Sequence, residues 1–449
     1  MNVSPQAVPF LCLGLALALH PVAGAEPPSS AREQVLTLED AVEIGIERSL
    51  ALENARRGEA IAEERVREVR AQALPSLNLN SSYTRRDEIP AYPGFDVPLG
   101  RLDHYSASLD AEQLLYSGGS VSAALRAARH YRDLAVAGTR GAASALIRDV
   151  TKAFHDVLFA EAAVGVARES LTQLEDFERQ TREKLERGTA SEFDGLTAQV
   201  RVANERPKWI KARNDLALAR AAFRNRIGLD DESFRLRGRL EFNDVRPRVG
   251  PLYELALTNR AEILQAESSA ALLKADVRVA RAEYYPEIRA FGSYAAANPD
   301  ADTPAEDEWG SAWLAWIRAT WSLLDGGLAR AVVRSKTLQH ERALAELEDL
   351  ERNVRLEIES ALLILQNARE VVVGSLEAVK LAEDALKIAK TRHEQGLSTY
   401  LEFTDGNLAL SVARLTHYEA LRYHVHALAD LRYACGVARL PAEEERDPR

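Results

Sequence analysis

The spacing of apolar residues changes along the chain from a helical pattern to an alternating one. Residues 38–73 and 252–284 have helical spacing, and Pro75 and Pro286 close these segments because proline cannot continue a helix interior. After each proline, apolar and polar residues alternate twice, as at Leu77, Leu79 and Tyr83. The pattern therefore predicts two pairs of β-strands, at 76–115 and 287–323.

Helical spacing returns after each strand pair and continues without proline for an unusual length. The intervals from Gly119 to Gly188 and from Gly327 to Gly396 each predict one helix of about 68 residues, which is roughly 100 Å long. Each glycine is then expected to turn the chain into a return helix, over 189–227 and 397–435. Helices of this length predict an elongated molecule rather than a compact domain.

The two halves of the chain resemble each other at glycine landmarks separated by a constant 208 residues. The pairs are Leu115-Tyr116-Ser117-Gly118-Gly119 with Leu323-Leu324-Asp325-Gly326-Gly327, Glu186-Arg187-Gly188 with Glu394-Gln395-Gly396, and Ile227-Gly228 with Cys435-Gly436. This register predicts a duplication. The expected organisation is a first repeat at 26–231 with a helical hairpin at 119–228, a linker at 232–249, a second repeat at 250–436 with a hairpin at 327–436, and a polar C-terminal tail at 437–449.

Residues 1–25 indicate a secretory signal peptide. They carry no Asp, Glu, Lys or Arg, and a short apolar run ends before Ala23-Gly24-Ala25, which has the form of a cleavage site. No later segment has the roughly 20 consecutive apolar residues that a membrane-spanning helix needs. A membrane location would therefore require β-strands.

Aromatic residues concentrate in the predicted strands. Four of the five tryptophans lie close together, and with two strand tyrosines they predict aromatic belts at membrane interfaces: Trp309, Trp313, Trp316, Trp321, Tyr83 and Tyr294. Packing in a soluble core is the alternative for these rings. Four strands are too few to close a barrel, so we expect several copies to share one, and three copies would supply twelve strands.

Composition and charge disfavour several classes of function. A net charge of −11 disfavours nucleic-acid binding, and the abundance of Ala, Leu, Glu and Arg favours long helices. The sequence contains no recognisable nucleophile motif, metal cluster or phosphate loop. We therefore expect neither an enzyme nor a bound cofactor. Cys435, the only cysteine after signal cleavage, is expected to be a small core residue.

The order of these elements resembles the TolC-like outer-membrane factors of tripartite efflux pumps and type I secretion systems. The similarity rests on Leu36-Thr37-Leu38-Glu39-Asp40-Ala41-Val42, the duplicated Leu-x-x-Gly-Gly, and the turns Arg187-Gly188-Thr189-Ala190-Ser191 and Gln395-Gly396-Leu397-Ser398-Thr399. It implies a mainly α-helical fold with a transmembrane β-barrel, in which three chains form a twelve-stranded barrel on an α-helical barrel. Such a homotrimer would cross the outer membrane of a Gram-negative bacterium and the periplasm.

The resemblance also implies partners and a site. A periplasmic adaptor and an inner-membrane pump would meet the hairpin ends, and small molecules, metal ions or polypeptides would pass through a passive duct. The family places adaptor contacts at the positions of Gly188, Thr189, Ala190, Gly396, Leu397 and Ser398. It places a ring of acidic gate residues at the positions of Asp194, Glu402 and Asp405.

Two alternatives stay open at this stage. Asp194 and Glu402 each stand three residues after a hydroxyl residue, so helix capping alone would explain both acids, whereas Asp405 has no such explanation. For the whole chain, the rival hypothesis is a periplasmic helical-hairpin adaptor or a coiled-coil scaffold. An adaptor would have one hairpin and compact β-domains, while this sequence predicts two hairpins.

Overall fold

The computed structural model describes residues 34–89, 100–230, 234–300, 302–304, 306–395, 397 and 400–440. The predicted signal peptide and the residues after 440 lie outside these ranges. Within them, both halves of the chain contain two short helices, two strands and a hairpin of one very long and one shorter helix. The helices form the bulk of the molecule, and the four long strands lie together in one sheet.

The helices of both hairpins begin and end close to glycine residues. Helices α3 and α7 have 67 residues each, and each begins directly after a glycine with a positive φ, Gly119 and Gly327. Only glycine adopts that conformation without strain. The helix bounds are α1 Leu38–Arg48, α2 Leu50–Ala71, α3 Ser120–Glu186, α4 Glu192–Ile227, α5 Val249–Asn259, α6 Ala261–Arg281, α7 Leu328–Glu394 and α8 Tyr400–Ala434.

The segments before the strands are each interrupted, although their periodicity predicted continuous helices. Ser49 ends α1 in an extended conformation and its hydroxyl accepts a hydrogen bond from the amide of Leu52, which caps α2. Arg260 interrupts the second segment in the same way, and its guanidinium pairs with Glu357 at 2.7 Å and donates to the carbonyl of Ala434. The apolar spacing continues across both breaks, so the sequence pattern does not reveal them.

The helix-ending glycines of the repeat fit against these breaks. Gly228 and Gly436 have φ values of 70° and 69°. A Cβ on Gly436 would lie 2.8 Å from the backbone of Arg260, and one on Gly228 would lie 3.1 Å from the Cβ of Arg48. Close approach and a positive φ together explain why glycine occupies both positions.

The four long strands form one antiparallel sheet with the order β2-β3-β5-β6, so the second strand of one repeat pairs with the first strand of the other. Their bounds are β2 Ser76–Arg85, β3 Asp103–Ser117, β5 Glu287–Asn298 and β6 Gly310–Thr320. Strands β2 and β6 are the edges. None of the described helices is long and apolar enough to cross a membrane.

The sheet has one apolar and one polar face. A row on the apolar face runs through Leu79, Leu109, Tyr294 and Trp313, which lie opposite one another on the four strands. A row on the polar face runs through Ser76, Glu112, Phe291 and Trp316. The prediction of a shared aromatic belt is therefore wrong for Trp316, because three residues along a strand change the face.

The other predicted belt aromatics keep to the apolar face or its ends. Near the loops, the ring of Tyr105 lies 5.0 Å from that of Tyr83 and 6.4 Å from that of Trp309. At the helical end, the indole nitrogen of Trp321 donates to the carbonyl of Tyr284 at 3.2 Å. Trp313 lies between these two levels and is 77% exposed in the single chain.

The predicted linker is partly structured. Strand β4, Phe234–Leu236, pairs in parallel with β1, Gln34–Leu36, and Val249 already belongs to α5. Both Phe234 and Leu236 are buried in the core that α1, α3 and α4 form. The start of the predicted tail also differs from expectation, because Leu440 is fully buried in the core between α5, α7 and α8.

Candidate gate and docking site at the hairpin ends

The two hairpin turns share their backbone hydrogen bonding. In the first, the amide of Thr189 donates to the carbonyl of Lys184 at 2.8 Å, and Gly188 has a φ of 74°. In the second, the amide of Leu397 donates to the carbonyl of Arg392 at 2.8 Å, which is the same bond 208 residues later. This pattern closes a helix through a left-handed residue. Gly396 and Ser398 lie outside the described residues.

The predicted docking residues of the described turns face solvent. Gly188, Thr189 and Leu397 are exposed, and Ala190 is half-buried. A Cβ on Gly188 would have no neighbour within 4 Å, so only its positive φ disfavours a side chain there.

Asp194 caps its own helix. The Ser191 hydroxyl accepts from the amide of Asp194 at 3.1 Å, and the amide of Ser191 donates to the Asp194 carboxylate at 3.2 Å. This reciprocal pair is a capping box, so the alternative that the sequence offered for Asp194 is present in the structure. Its carboxylate is committed to the backbone of its own chain.

The acidic residues of the second hairpin have different partners from Asp194. The carboxylate of Glu402 lies 3.9 Å from the Nε of Arg392, across the turn. Thr399, the hydroxyl residue expected to cap this helix with Glu402, lies outside the described residues. Asp405 is exposed and makes no hydrogen bond or ion pair with any other residue that the structure describes. Of the three acids, Asp405 is therefore the one whose carboxylate has no partner in the described part of the chain.

An aromatic cluster packs behind these acids and joins the two hairpins. The rings of Phe177 on α3 and Phe403 on α8 stack at 5.5 Å, and the His393 ring lies 5.3 Å from Phe177. Neither ring nitrogen of His393 has a hydrogen-bond partner among the residues that the structure describes. The imidazole is thus held by ring packing, and it links α7 to the other hairpin.

Charged residues hold α3 against α8 farther from the turns. Arg414 of α8 pairs with Glu169 of α3 at 2.9 Å and with Glu383 of α7 at 3.0 Å, so one guanidinium links three helices. Lys152 pairs with Asp430 at 2.6 Å, close to the C-terminal end of α8. Sequence reasoning missed these contacts because the partners are up to 278 residues apart and no local motif marks them.

Other candidate chemistry gives no site. No group of three or more potential metal-ligating side chains occurs among the described residues. Cys435 is fully buried, and burial raises the pKa of its thiol to about 12. A thiol with such a pKa stays protonated at neutral pH, as expected for a core residue.

Comparison with known proteins identifies the family. The model of the family "Outer membrane efflux protein" matches residues 42–229 and 252–437. The chain belongs to the outer membrane efflux protein family. The two matches cover most of the chain, and each contains one pair of short helices, one strand pair and one hairpin.

Relatives and solved structures agree with this assignment. The chain is 25% identical to outer membrane protein OprJ of Pseudomonas aeruginosa over 385 residues, which are 82% of this chain and 77% of that protein. It is 22% identical to nodulation protein T of Rhizobium leguminosarum bv. trifolii, over 88% of this chain and 84% of the relative.

Among solved structures, CusC superimposes with a TM-score of 0.77 at 18% identity, over 89% of this chain and 92% of the other. The open state of the MtrE outer membrane channel of Neisseria gonorrhoeae gives 0.75 at 20% identity, over 89% of both chains. At such identities the likeness shows the fold. The fold is therefore that of outer-membrane channels and not that of periplasmic adaptors, and this outer membrane protein functions in efflux.

Proposed function

We propose that three copies of this chain form a passive duct that carries cargo from an inner-membrane pump across the periplasm and outer membrane. The observation that carries the proposal is the two-faced, four-stranded sheet with two unpaired edges. A sheet with open edges cannot lie in lipid, because unpaired backbone groups cost several kcal/mol each there. Pairing β6 of one copy with β2 of the next removes every edge after three copies.

The dimensions of the apolar face fit this role. Trp309 and Trp321 are twelve residues apart, which is about 40 Å along a strand. At a tilt of about 45°, that length spans roughly 28 Å, close to the thickness of the apolar band of such barrels. The aromatic residues at the two ends of the face would then lie at the two interfaces of the membrane.

The exposed apolar residues of the helices support the same assembly. On α7, the side chains of Leu356, Leu363, Leu381 and Ile388 are all more than 60% exposed in the single chain. Phe193, Leu196 and Val200 are similarly exposed at the start of α4. Because α4 and α7 are the outer helices of the two hairpins, a neighbouring copy would bring α7 of one chain to α4 of the next.

In this assembly the hairpin ends would form the periplasmic opening. Asp405 would contribute one free carboxylate per chain to a ring, which favours cations and disfavours anions while the opening is narrow. Glu402 would stand in the same ring but partly neutralised by Arg392. Asp194 would contribute less, since its carboxylate caps α4.

The exposed turns would contact the adaptor. Gly188 and Thr189 are exposed at the end of the first hairpin, and Leu397 is exposed at the end of the second. A bulky residue at Gly396 is then expected to impair export of cargo without loss of the trimer. Loss of the trimer in that variant would instead assign the glycine a purely structural role.

Electrophoresis of the outer-membrane fraction with and without boiling tests the proposed function. We expect a band at about three times the chain mass of 49.6 kDa that collapses to the monomer on heating. Recovery of the protein as a soluble periplasmic monomer would contradict the proposal and favour an adaptor or scaffold. No cofactor or catalytic residue takes part in the proposed role.

A further inference from the structure

The polar face of the sheet carries one aromatic pair that its surroundings do not explain. Phe291 and Trp316 lie opposite each other on β5 and β6, with ring centroids 4.9 Å apart and planes inclined by 11°. Apart from Leu314, which stands two residues from Trp316 on β6, the neighbouring side chains on this face are mostly polar. Asp110, for example, accepts hydrogen bonds from Ser108 at 2.7 Å and Ser293 at 2.6 Å. An aromatic stack here is directed away from the apolar face that lipid would cover.

The two arginines beside this stack differ in their partners. Arg289 pairs with both Glu112 and Glu287, so its positive charge is more than neutralised. Arg318 lies opposite Arg289 on β6, and its guanidinium carbon is 5.0 Å from the centre of the Phe291 ring. Within the described part of the chain, Arg318 has no carboxylate partner. An exposed guanidinium thus adjoins the aromatic pair.

Closure of the barrel would leave Arg318 without a carboxylate. The strand expected beside β6 is β2 of the next copy, and the polar face of β2 carries Ser76, Asn78, Asn80, Ser82 and Thr84. These side chains donate and accept hydrogen bonds but carry no charge. The charge of Arg318 is therefore available to a solute in the lumen.

We propose that Phe291, Trp316 and Arg318 form a binding patch inside the barrel for planar aromatic solutes that carry a carboxylate. The solute ring packs against the exposed edge of the aromatic pair. The carboxylate of the solute accepts hydrogen bonds from the Arg318 guanidinium. The patch rests on the proposed trimeric duct, where it occurs three times around the lumen. The patch would make the outer end of the duct favour aromatic carboxylates, whereas the acidic ring at the periplasmic end would favour cations.

Binding of 2-naphthoate to the trimer in lipid nanodiscs tests the patch, with saturation-transfer difference NMR as the measurement. We expect Trp316→Ala and Arg318→Gln each to weaken binding about fivefold, from the loss of a stacking or charged contact. The matched control is Trp313→Ala, which removes the same side chain from the opposite face and is expected to leave binding unchanged. 2-Naphthylmethylammonium, with the charge reversed, is expected to bind more weakly than 2-naphthoate to the unmodified protein.

Two failures are distinguishable. Equal binding in the unmodified protein, Trp316→Ala and Arg318→Gln would overturn the patch, as would an equal loss in Trp313→Ala. Absence of a heat-labile trimer before reconstitution would instead overturn the proposed function. Arg318→Gln changes an exposed side chain, so it keeps the test decisive if Trp316→Ala fails to assemble.

Discussion

Helices α3 and α7 have the same length and equivalent positions in the repeat, but their surroundings differ. Among large apolar side chains, α3 exposes only Tyr131 and Leu185, whereas α7 exposes eleven. Helix α3 lies between α4 and α8 and also contacts α2 and α6, while α7 has neighbours on fewer sides. Within one copy of the chain, the apolar side chains of α3 are therefore largely covered, whereas many of those on α7 remain exposed.

The sequences of α3 and α7 differ in the way that their different surroundings require. The α7 residues Leu356, Leu363, Leu381 and Ile388 correspond, 208 residues earlier, to Arg148, His155, Gln173 and Gln180. A polar residue thus stands in α3 wherever α7 exposes one of these four apolar side chains. The two repeats contain long helices of equal length, and the different neighbours of these helices account for the polar residues on α3 and the apolar residues on α7.

The largest expected effect comes from placing charge on the exposed stripe of α7. We predict that Leu381→Asp combined with Ile388→Asp abolishes the heat-labile trimer, because each apolar side chain contributes about 1.5–3 kcal/mol when buried at a seam. Gln173→Asp with Gln180→Asp makes the equivalent change on α3 and is expected to leave the trimer intact. Unboiled electrophoresis measures both, and equal loss in the two double variants would refute the contrast between the helices.

The second comparison separates the acids of the two hairpin ends. Asp405→Asn is predicted to lower the cation-to-anion permeability ratio of the reconstituted channel several-fold, because it removes three unbalanced charges from the opening. Asp194→Asn is predicted to keep the ratio and to destabilise the helix by about 1 kcal/mol, because it weakens a cap. Reversal potentials in a salt gradient and urea midpoints measure the two effects. Equal permeability changes in both variants would contradict the distinction.

A smaller effect is expected at the ion pairs that join the hairpins. Arg414→Gln removes contacts with Glu169 and Glu383 and is predicted to lower the free energy of unfolding by about 1 kcal/mol. Arg352→Gln is the control, since Arg352 pairs with Glu348 one turn away on the exposed surface of α7. Urea unfolding is expected to shift for the first variant and to remain within about 0.5 kcal/mol for the second. The reverse order would show that the hairpins do not depend on this seam.

The smallest effect concerns the segment between the repeats. Hydrogen bonds from Arg246 and Arg369 lower the pKa of Asp244 to about 2, from an ordinary value of 3.8. The native state therefore favours the ionised carboxylate, which stabilises the protein above about pH 4, and this contribution is lost as the pH falls towards 2. Asp244→Asn should remove that part of the acid dependence. The difference between urea midpoints of protein and variant at pH 5 and pH 2.5 measures it, and a constant difference would contradict the assignment.

The sequence predicted most of the fold because glycine and proline mark its element boundaries. Gly119, Gly188, Gly327 and the two prolines occur where the periodicity changes, and the structure begins or ends its helices within a few residues of them. The breaks at Ser49 and Arg260 were not predicted, since they result from packing against the ends of α4 and α8. The pairing of β1 with β4 joins residues about 200 positions apart in the chain, and the sequence pattern did not predict it either.

The candidate site was predicted less completely. The capping role of Asp194 follows from its local spacing, so the sequence contained it. The face occupied by Trp316 also follows from strand alternation, and counting from Trp313 would have corrected the aromatic belt. The Arg414 contacts join three separate helices, and a single sequence carries no signal for such distant pairs.

The parallel pair β1–β4 has a consequence for how the chain folds as it is made. Residues 34–36 find their strand partner only at 234–236, so the first helices stay unanchored on that side until half of the chain has emerged. Bringing together segments about 200 residues apart carries an entropic cost, and such contacts form slowly. The first repeat therefore completes its fold only after the segment that follows its hairpin has emerged, and the newly made chain needs protection from premature association during that interval.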